Sequence, residues 1–250
     1  MKILSVLFLS LVAQAASAQT VPILMFHKLV PNASAPAHED VQLGRFEEYL
    51  KMIKVNGYKT LTISELTSLI RSKSPLPSKA VAITFDDGWR ADIEAEKLLL
   101  KYNQKATFYI LSGAFDDPSY LSKADLQSLS ANNNVEIGAH TQTHFMKWVD
   151  KLDALDTKTI VDEMSKSKTQ LEQVIKKPIL SFSWPFGYVR DDAEKQAPAM
   201  GYTSIVQTNN SSKNGLGTST LQLERLNIDG SCTSAQVKKM IDTGVLDKCK

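Results

Sequence analysis

Six side chains in this sequence combine a reactive type with a telling position. Asp86 and Asp87 are adjacent, and Gly88 follows them. They close an apolar, β-branched run, Val81-Ala82-Ile83-Thr84-Phe85, which reads as a buried strand. Neighbouring strand residues point to opposite faces, so the two carboxylates share a site only if the chain bends after Phe85. Gly88 permits such a bend. Two carboxylates at the mouth of a buried strand repel each other and lose solvation, which calls for positive charge beside them. A metal ion would supply it. The plainer alternative is an acidic loop tip that caps the following helix. His140 and His144 stand four apart, which on a helical turn puts both rings on one side, as in metal sites. With a carboxylate from another strand end they make a two-histidine, one-carboxylate set that leaves positions open for water and substrate. That set suits zinc hydrolysis or non-haem iron oxygenation. Oxygenases of this kind carry the triad as His-x-Asp and a distant histidine on an all-β barrel. Here the carboxylate comes first and helices separate the strands, which favours hydrolysis. His27 and Arg225 complete the six, each directly after an apolar strand candidate.

The elements that must position these residues alternate. Strands are expected at 21–26, 59–62, 81–85, 106–111, 135–139, 179–184, 203–206 and 221–224. Helices are expected near 46–53 and at 64–71, 91–102, 122–131, 157–176, 191–200 and 234–241. Ser122 and Asp125 have capping-box spacing, Pro178 stops the long helix, and Gly201 is a helix-end signal. Alternation with no linker-like segment predicts parallel strands and crossover helices in a single α/β domain. Seven or eight units suit a closed or nearly closed β/α barrel, with an open doubly wound sheet as the competitor. In a barrel the C-terminal strand ends share one face, so Asp86, Asp87, His27, His140, Pro185 and Arg225 would meet there.

The 250 residues are 43% hydrophobic and 22% charged, an ordinary globular composition. The net charge of +2 argues against a nucleic-acid partner. Residues 1–18 read as a secretory signal: Lys2, an apolar stretch over 3–12 too short to span a bilayer, then Ala16-Ser17-Ala18 as a cleavage site. An N-terminal anchor is the alternative. No later segment is long and apolar enough for a membrane span. The mature chain is thus expected to run over 19–250 and to be exported, periplasmic or secreted. Cys232 and Cys249 are the only cysteines, either one disulfide pinning the last helix or two free thiols. His38 falls in a polar loop and reads as surface.

Thr84-Phe85-Asp86-Asp87-Gly88 resembles the first motif of the NodB-homology polysaccharide deacetylases, carbohydrate esterase family four. Ile137-Gly138-Ala139-His140-Thr141-Gln142-Thr143-His144 resembles their metal-binding second motif, and Trp184-Pro185-Phe186-Gly187 their third. The opening Val21-Pro22-Ile23-Leu24-Met25-Phe26-His27 is similar to the circularly permuted, exported poly-N-acetylglucosamine deacetylase branch. The resemblance implies a distorted (β/α)7 barrel. It implies that Asp87, His140 and His144 hold a divalent metal, usually zinc. It makes Asp86 the general base, His27 the acid, and the backbone N–H near Phe186 an oxyanion donor. The implied activity is removal of N-acetyl groups from a polysaccharide or glycan. Trp184, Phe186 and Tyr188 would offer a sugar ring a stacking face, beside Pro185 and Gly187; ordinary rim packing is the alternative. Three departures stand out. Ser183 occupies the region of the family's base-holding arginine, the Asp-x-x-Asp-Trp motif is absent, and no histidine follows His144. Arg225 is the candidate replacement for that arginine, against a surface salt bridge. The absent motif and the replaced arginine keep open a glycan-binding protein on this fold; an esterase acting on acetyl esters of a polysaccharide is a second rival.

Overall fold

Every residue of the strand Ala80–Phe85 is buried, on both of its faces. Such a strand needs partners on each edge and cover on each side, and a barrel ringed by helices provides both. The computed structural model describes residues 19–34 and 39–249. The predicted signal segment and His38 lie outside the described residues. In chain order the strands of the main sheet are β1 (Ile23–Phe26), β2 (Lys59–Leu61), β3 (Ala80–Phe85), β4 (Ala106–Ile110), β5 (Val135–Ala139), β6 (Ser181–Ser183), β7 (Ser204–Thr208) and β8 (Leu223–Asn227). The helices are α1 (Leu43–Val55), α2 (Ile63–Arg71), α3 (Asp92–Tyr102), α4 (Lys123–Ala131), α5 (Thr157–Ile175), α6 (Asp191–Glu194) and α7 (Ser234–Thr243).

Seven strands close a parallel ring, β1-β3-β4-β5-β6-β7-β8 and back to β1. The closing pair sets Phe26 opposite Phe85, and β8 meets β7 with Arg225 opposite Thr208. β2 pairs only with the first half of β3, through Leu61 opposite Ala82, and β4 pairs further along from Thr84 opposite Thr107. The expected single-domain (β/α)7 barrel is what the chain forms, and β2 is an eighth strand tucked against its base.

Strand alternation sorts the side chains into two environments. Phe26, Phe85 and Phe108 point outward and stack, with ring centroids 5.5 and 4.8 Å apart, beneath Phe46 and Tyr49 of α1. Inside, the lower lumen is apolar: Ile23, Ala82, Val206 and Leu223 meet Ile63 and Leu66 of α2, which plug the base. Because Phe85 faces out, Thr84 and Asp86 face in. That one register choice delivers a carboxylate to the top of the lumen.

Local signals behave as their chemistry dictates. Ser122 and Asp125 form the expected capping box at α4, and Thr62 with Glu65 forms another at α2. Elsewhere the expected bounds shift. β8 begins two residues late, so Arg225 lies within the strand rather than after it. The expected helix over 191–200 is α6 followed by a separate 3-10 turn, Ala197–Met200, with Pro198 in its first turn. Proline lacks the N–H an α-helix interior needs. Cys232 and Cys249 form a disulfide that ties the chain after α7 to the loop before it. The Tyr49 hydroxyl donates to the Cys232 carbonyl at 2.5 Å, joining that loop to α1.

Candidate active site

At the mouth of the ring Asp86 meets a fully buried arginine from β8, the next strand but one, on the other side of β1. Arg225 Nη1 donates to Asp86 Oδ1 at 2.6 Å, and Nη2 donates to Oδ2 at 2.7 Å. Ser183 Oγ, on β6, donates to the same Oδ2 at 3.0 Å and accepts from Arg225 Nη2 at 2.8 Å. Thr84 Oγ1 accepts from Nη1 at 3.2 Å, and the Tyr109 ring lies 5.5 Å from the guanidinium. Arg225 is 0% exposed, so it is not the surface salt bridge that sequence alone allowed. Burial works against the charge on Asp86, but Arg225, and then His140, hold its carboxyl well below the usual range. Ser183, at the position where sequence reading expected an arginine, joins the network that holds Asp86.

Asp87 turns the other way. The bend is made by Asp87 itself, at φ 78°, as well as by Gly88 at φ 78°. A non-glycine residue in that region is uncommon, and here it separates two neighbouring carboxylates. Asp87 Oδ2 accepts from the Trp89 indole N–H at 3.0 Å. Asp87 Oδ1 is buried with no hydrogen-bond donor, 3.4 Å from both His140 Nε2 and His144 Nε2.

The histidine pair is not on a helix. His140 follows β5 directly, and the chain then turns through Thr141 at φ 66° and His144 at φ 56°. Three hydrogen bonds to Glu163 of α5 hold this turn: the N–H groups of Gln142 and Thr143 at 3.0 and 2.9 Å, and Thr143 Oγ1 at 3.1 Å. The Thr141 hydroxyl accepts from the His144 N–H at 2.9 Å. His140 Nδ1 donates to the Ser183 carbonyl at 2.9 Å, which leaves Nε2 to point its lone pair at a metal ion. Burial, and then His140, push His144 down to about 4, so its ring is neutral near pH 7.

These atoms fit a metal ion. One carboxylate oxygen and one ring nitrogen from each histidine lie within 4.8 Å of one another, and the oxygen has no hydrogen-bond donor among the described residues. Three protein ligands leave further coordination positions free. The donor set suits zinc and other borderline divalent ions.

The surrounding cavity, about 330 Å³, is lined by His27, Asp86, Asp87, His140, His144, Trp184, Phe186 and Gly187, among others. His27 thus joins the site from β1, with Nε2 3.9 Å from Glu39 Oε2. Trp184 lines the wall but is 1% exposed, and Pro185 is buried, so neither offers a stacking face. Phe186 is 54% exposed, at φ 56°, with its ring edge-on to His144 at 4.3 Å. Tyr188 is half-buried outside this lining, beside Arg190.

Glu163, Trp89 and Glu39 are parts of the site that motif reading passed over. Glu163 had a signal: it interrupts the apolar stripe Ile160, Met164 and Leu171 on α5.

Comparison with known proteins agrees with this geometry. The polysaccharide deacetylase family model matches residues 73–205. YxkH of Bacillus subtilis is 28% identical over 188 residues, covering 75% of this chain and 64% of that protein. The peptidoglycan-N-acetylglucosamine deacetylase of Bacillus cereus is 29% identical over 144 residues, covering 57% of this chain and 62% of that enzyme. The chain therefore spans less than two thirds of the length of these relatives. The fold of Streptococcus pyogenes deacetylase PplD, solved with acetate, superposes with a TM-score of 0.79 at 22% identity, over 90% of this chain and 99% of that one. A family model that spans the strand of Asp86 and Asp87, both histidines of the turn and the segment of Trp184 places this chain in the polysaccharide deacetylase family.

Proposed function

We propose that this chain is a metal-dependent hydrolase that removes N-acetyl groups from a glycan containing N-acetylglucosamine. The observation that carries the reading is one cavity holding the Arg225-clamped Asp86, the Asp87-His140-His144 set and His27. The name of the Bacillus cereus relative supports this substrate class.

Asp87, His140 and His144 would hold the ion. When bound, a divalent ion such as zinc polarises the acetamide carbonyl and lowers the pKa of a water molecule beside it. Asp86 takes the proton of the attacking water. Arg225 keeps Asp86 ionised and fixes its plane, and a carboxylate retains lone pairs beyond those used by Arg225 and Ser183. The backbone N–H near Phe186 donates to the oxyanion as it forms. His27 protonates the departing amine. Phe186 and Gly187 form the wall against which the sugar rests. The products are acetate and a free glucosamine unit. The disulfide supports export, since such bonds persist in oxidising compartments. Among the described residues no helix is long and apolar enough to cross a membrane.

The test is acetate release from β-1,4- and β-1,6-linked N-acetylglucosamine oligomers, peptidoglycan and an O-acetylated polysaccharide. Each is assayed as prepared, after chelation, and after zinc is restored. Release from the amide substrates that chelation abolishes and zinc restores supports the proposal. Release from the ester alone would select the esterase reading. Glycan and metal binding without release would select the binding-protein reading. A full rate in Asp86→Asn removes the base assignment, and a full rate in His27→Ala removes the acid.

A further inference from the structure

The end of the barrel opposite Asp86 carries a cavity of its own, of about 380 Å³. It lies where α1 and α3 end and where β2, β4 and β5 begin. Nine residues line it. Three are lysines, Lys54, Lys59 and Lys105, and none is acidic.

A lysine in the last turn of a helix serves the carbonyls exposed there, and Lys54 of α1 and Lys101 of α3 have that use. Lys59, the first residue of β2, and Lys105, just before β4, lie outside any helix and need another account. Lys105 pairs with Glu65, and Lys101 pairs with Glu47 at 2.7 Å. Among the described residues no carboxylate pairs with Lys54 or Lys59. Like charges gathered on one cavity repel, and an anion between them relieves that repulsion.

The walls are fixed and partly apolar. The Tyr102 hydroxyl donates to Glu47 Oε1 at 2.7 Å, and the Tyr58 hydroxyl donates to Asp242, so both rings are held. The Lys105 N–H donates to Thr60 Oγ1 at 2.8 Å, which ties the loop before β4 to β2. Gln104, another lining residue, is 4% exposed. Its Nε2 donates to the Leu50 carbonyl at 2.7 Å, while its Oε1 is buried with no donor among the described residues. Buried acceptors are nearly always satisfied, and a hydroxyl of a bound molecule would satisfy this one.

These features select a chemistry. Lysine meets phosphate as a point charge, whereas carboxylate is matched by the planar fork of arginine, and no arginine lines this cavity. The tyrosine rings suit the carbon chain of a polyol, and Gln104 Oε1 suits one of its hydroxyls. We propose that this basal cavity is a binding site for a phosphate-bearing polyol, either free or as a lipid headgroup, separate from the catalytic mouth. A ligand held there leaves Asp86 and the metal set facing away from it.

Isothermal titration of the full chain with glycerol 3-phosphate, glycerol, inorganic phosphate and glucuronate tests the chemistry. Glycerol 3-phosphate is expected to bind more tightly than inorganic phosphate and to weaken as salt rises, and glycerol is expected not to bind. Lys54→Glu and Lys59→Glu, both at exposed positions, are expected to lower the affinity by about tenfold or more. Gln104→Met removes the unpaired oxygen and is expected to erase the advantage over inorganic phosphate. A thermal melt of each variant checks the fold. Sedimentation with phosphatidylglycerol and phosphatidylcholine vesicles separates the sources. Binding to the first kind alone supports the headgroup, and binding of glycerol 3-phosphate without vesicle binding supports the free ligand. No binding of glycerol 3-phosphate or of phosphatidylglycerol overturns the proposal, as does equal affinity for glucuronate. Full affinity in folded Lys54→Glu and Lys59→Glu also overturns it, because phosphate held by the catalytic metal set would behave that way.

Discussion

Arg225 and Asp86 are 139 residues apart in the chain and meet over β1, which separates their strands, through two parallel hydrogen bonds of 2.6 and 2.7 Å. Both side chains are buried, and the pair links β8 to the end of β3. Removing one partner strands a charge in the interior. Arg225→Met is expected to cost about 3–5 kcal/mol of stability. Arg225→Lys keeps a cation but loses the planar fork, and should recover part of the stability but not the rate. Under the proposed role of Asp86 as base, its misplacement is expected to cost roughly 100-fold in kcat. Chemical denaturation and acetate-release kinetics on both variants check this; wild-type kcat in Arg225→Lys would refute the positioning role.

Glu163 reaches the metal set through the turn it holds rather than by contact. Its carboxylate accepts from two backbone N–H groups and one hydroxyl between His140 and His144. A glutamine keeps the size but offers one acceptor oxygen instead of two. Glu163→Gln should weaken zinc binding by about 10- to 100-fold, the usual scale for groups that orient metal ligands. Calorimetric titration of the metal-free protein with zinc measures it, and an unchanged Kd would exclude the effect.

Asp92, at the first position of α3, is 0% exposed, and neither carboxylate oxygen has a hydrogen-bond partner among the described residues. Burial, then the charges of Asp87 and Asp86, push its carboxyl well above the ordinary range. Between the unfolded pKa and this raised folded pKa, the folded state binds more protons than the unfolded one. Stability from this group therefore falls as pH rises through that window. Asp92→Asn removes the dependence. The variant should be more stable than wild type at neutral pH, with the difference vanishing below about pH 4. Urea denaturation across the pH range tests this, and a variant destabilised equally at every pH would contradict it.

Gly138 is required by space. A Cβ there would lie 2.4 Å from two carbons of the Tyr109 ring. Tyr109 also hydrogen-bonds Ser181 Oγ at 2.7 Å and lies under the Arg225 guanidinium. Gly138→Ala should cost about 1–3 kcal/mol through overpacking, and should lower kcat because the ring that moves supports Arg225. Thermal melting with kinetics separates the two effects; a stability loss with full activity would confine Gly138 to packing.

Several features were legible because they are local in sequence. The β-branched run into Asp86-Asp87-Gly88, the His140/His144 spacing and the Ser122 capping box need only neighbours to be read. Others were not. The i, i+4 spacing of the histidines reads as a helical turn, yet three residues between Thr141 and Phe145 take positive φ, because Glu163 from a distant helix satisfies the turn's N–H groups. Trp184 reads in its motif as either a stacking face or rim packing, and the structure buries it directly after β6 against Phe182.

Alternating periodicity and motif spacing pointed to parallel α/β architecture, barrel or open sheet, and gathered Asp86, Asp87, His140 and His144 at strand ends, which in a parallel barrel share a face; the family resemblance is what implied the closed (β/α)7 ring. Strand-end position also brought in His27 from the N-terminal part of the chain and Arg225 from the C-terminal part. Only the tertiary structure decided that Arg225 is the buried partner of Asp86, that Asp87 turns away at its own backbone, and that the cysteines pair. The physical reason is that each depends on register and closure between segments far apart in sequence, where a shift of one residue would point the same side chain to the opposite face.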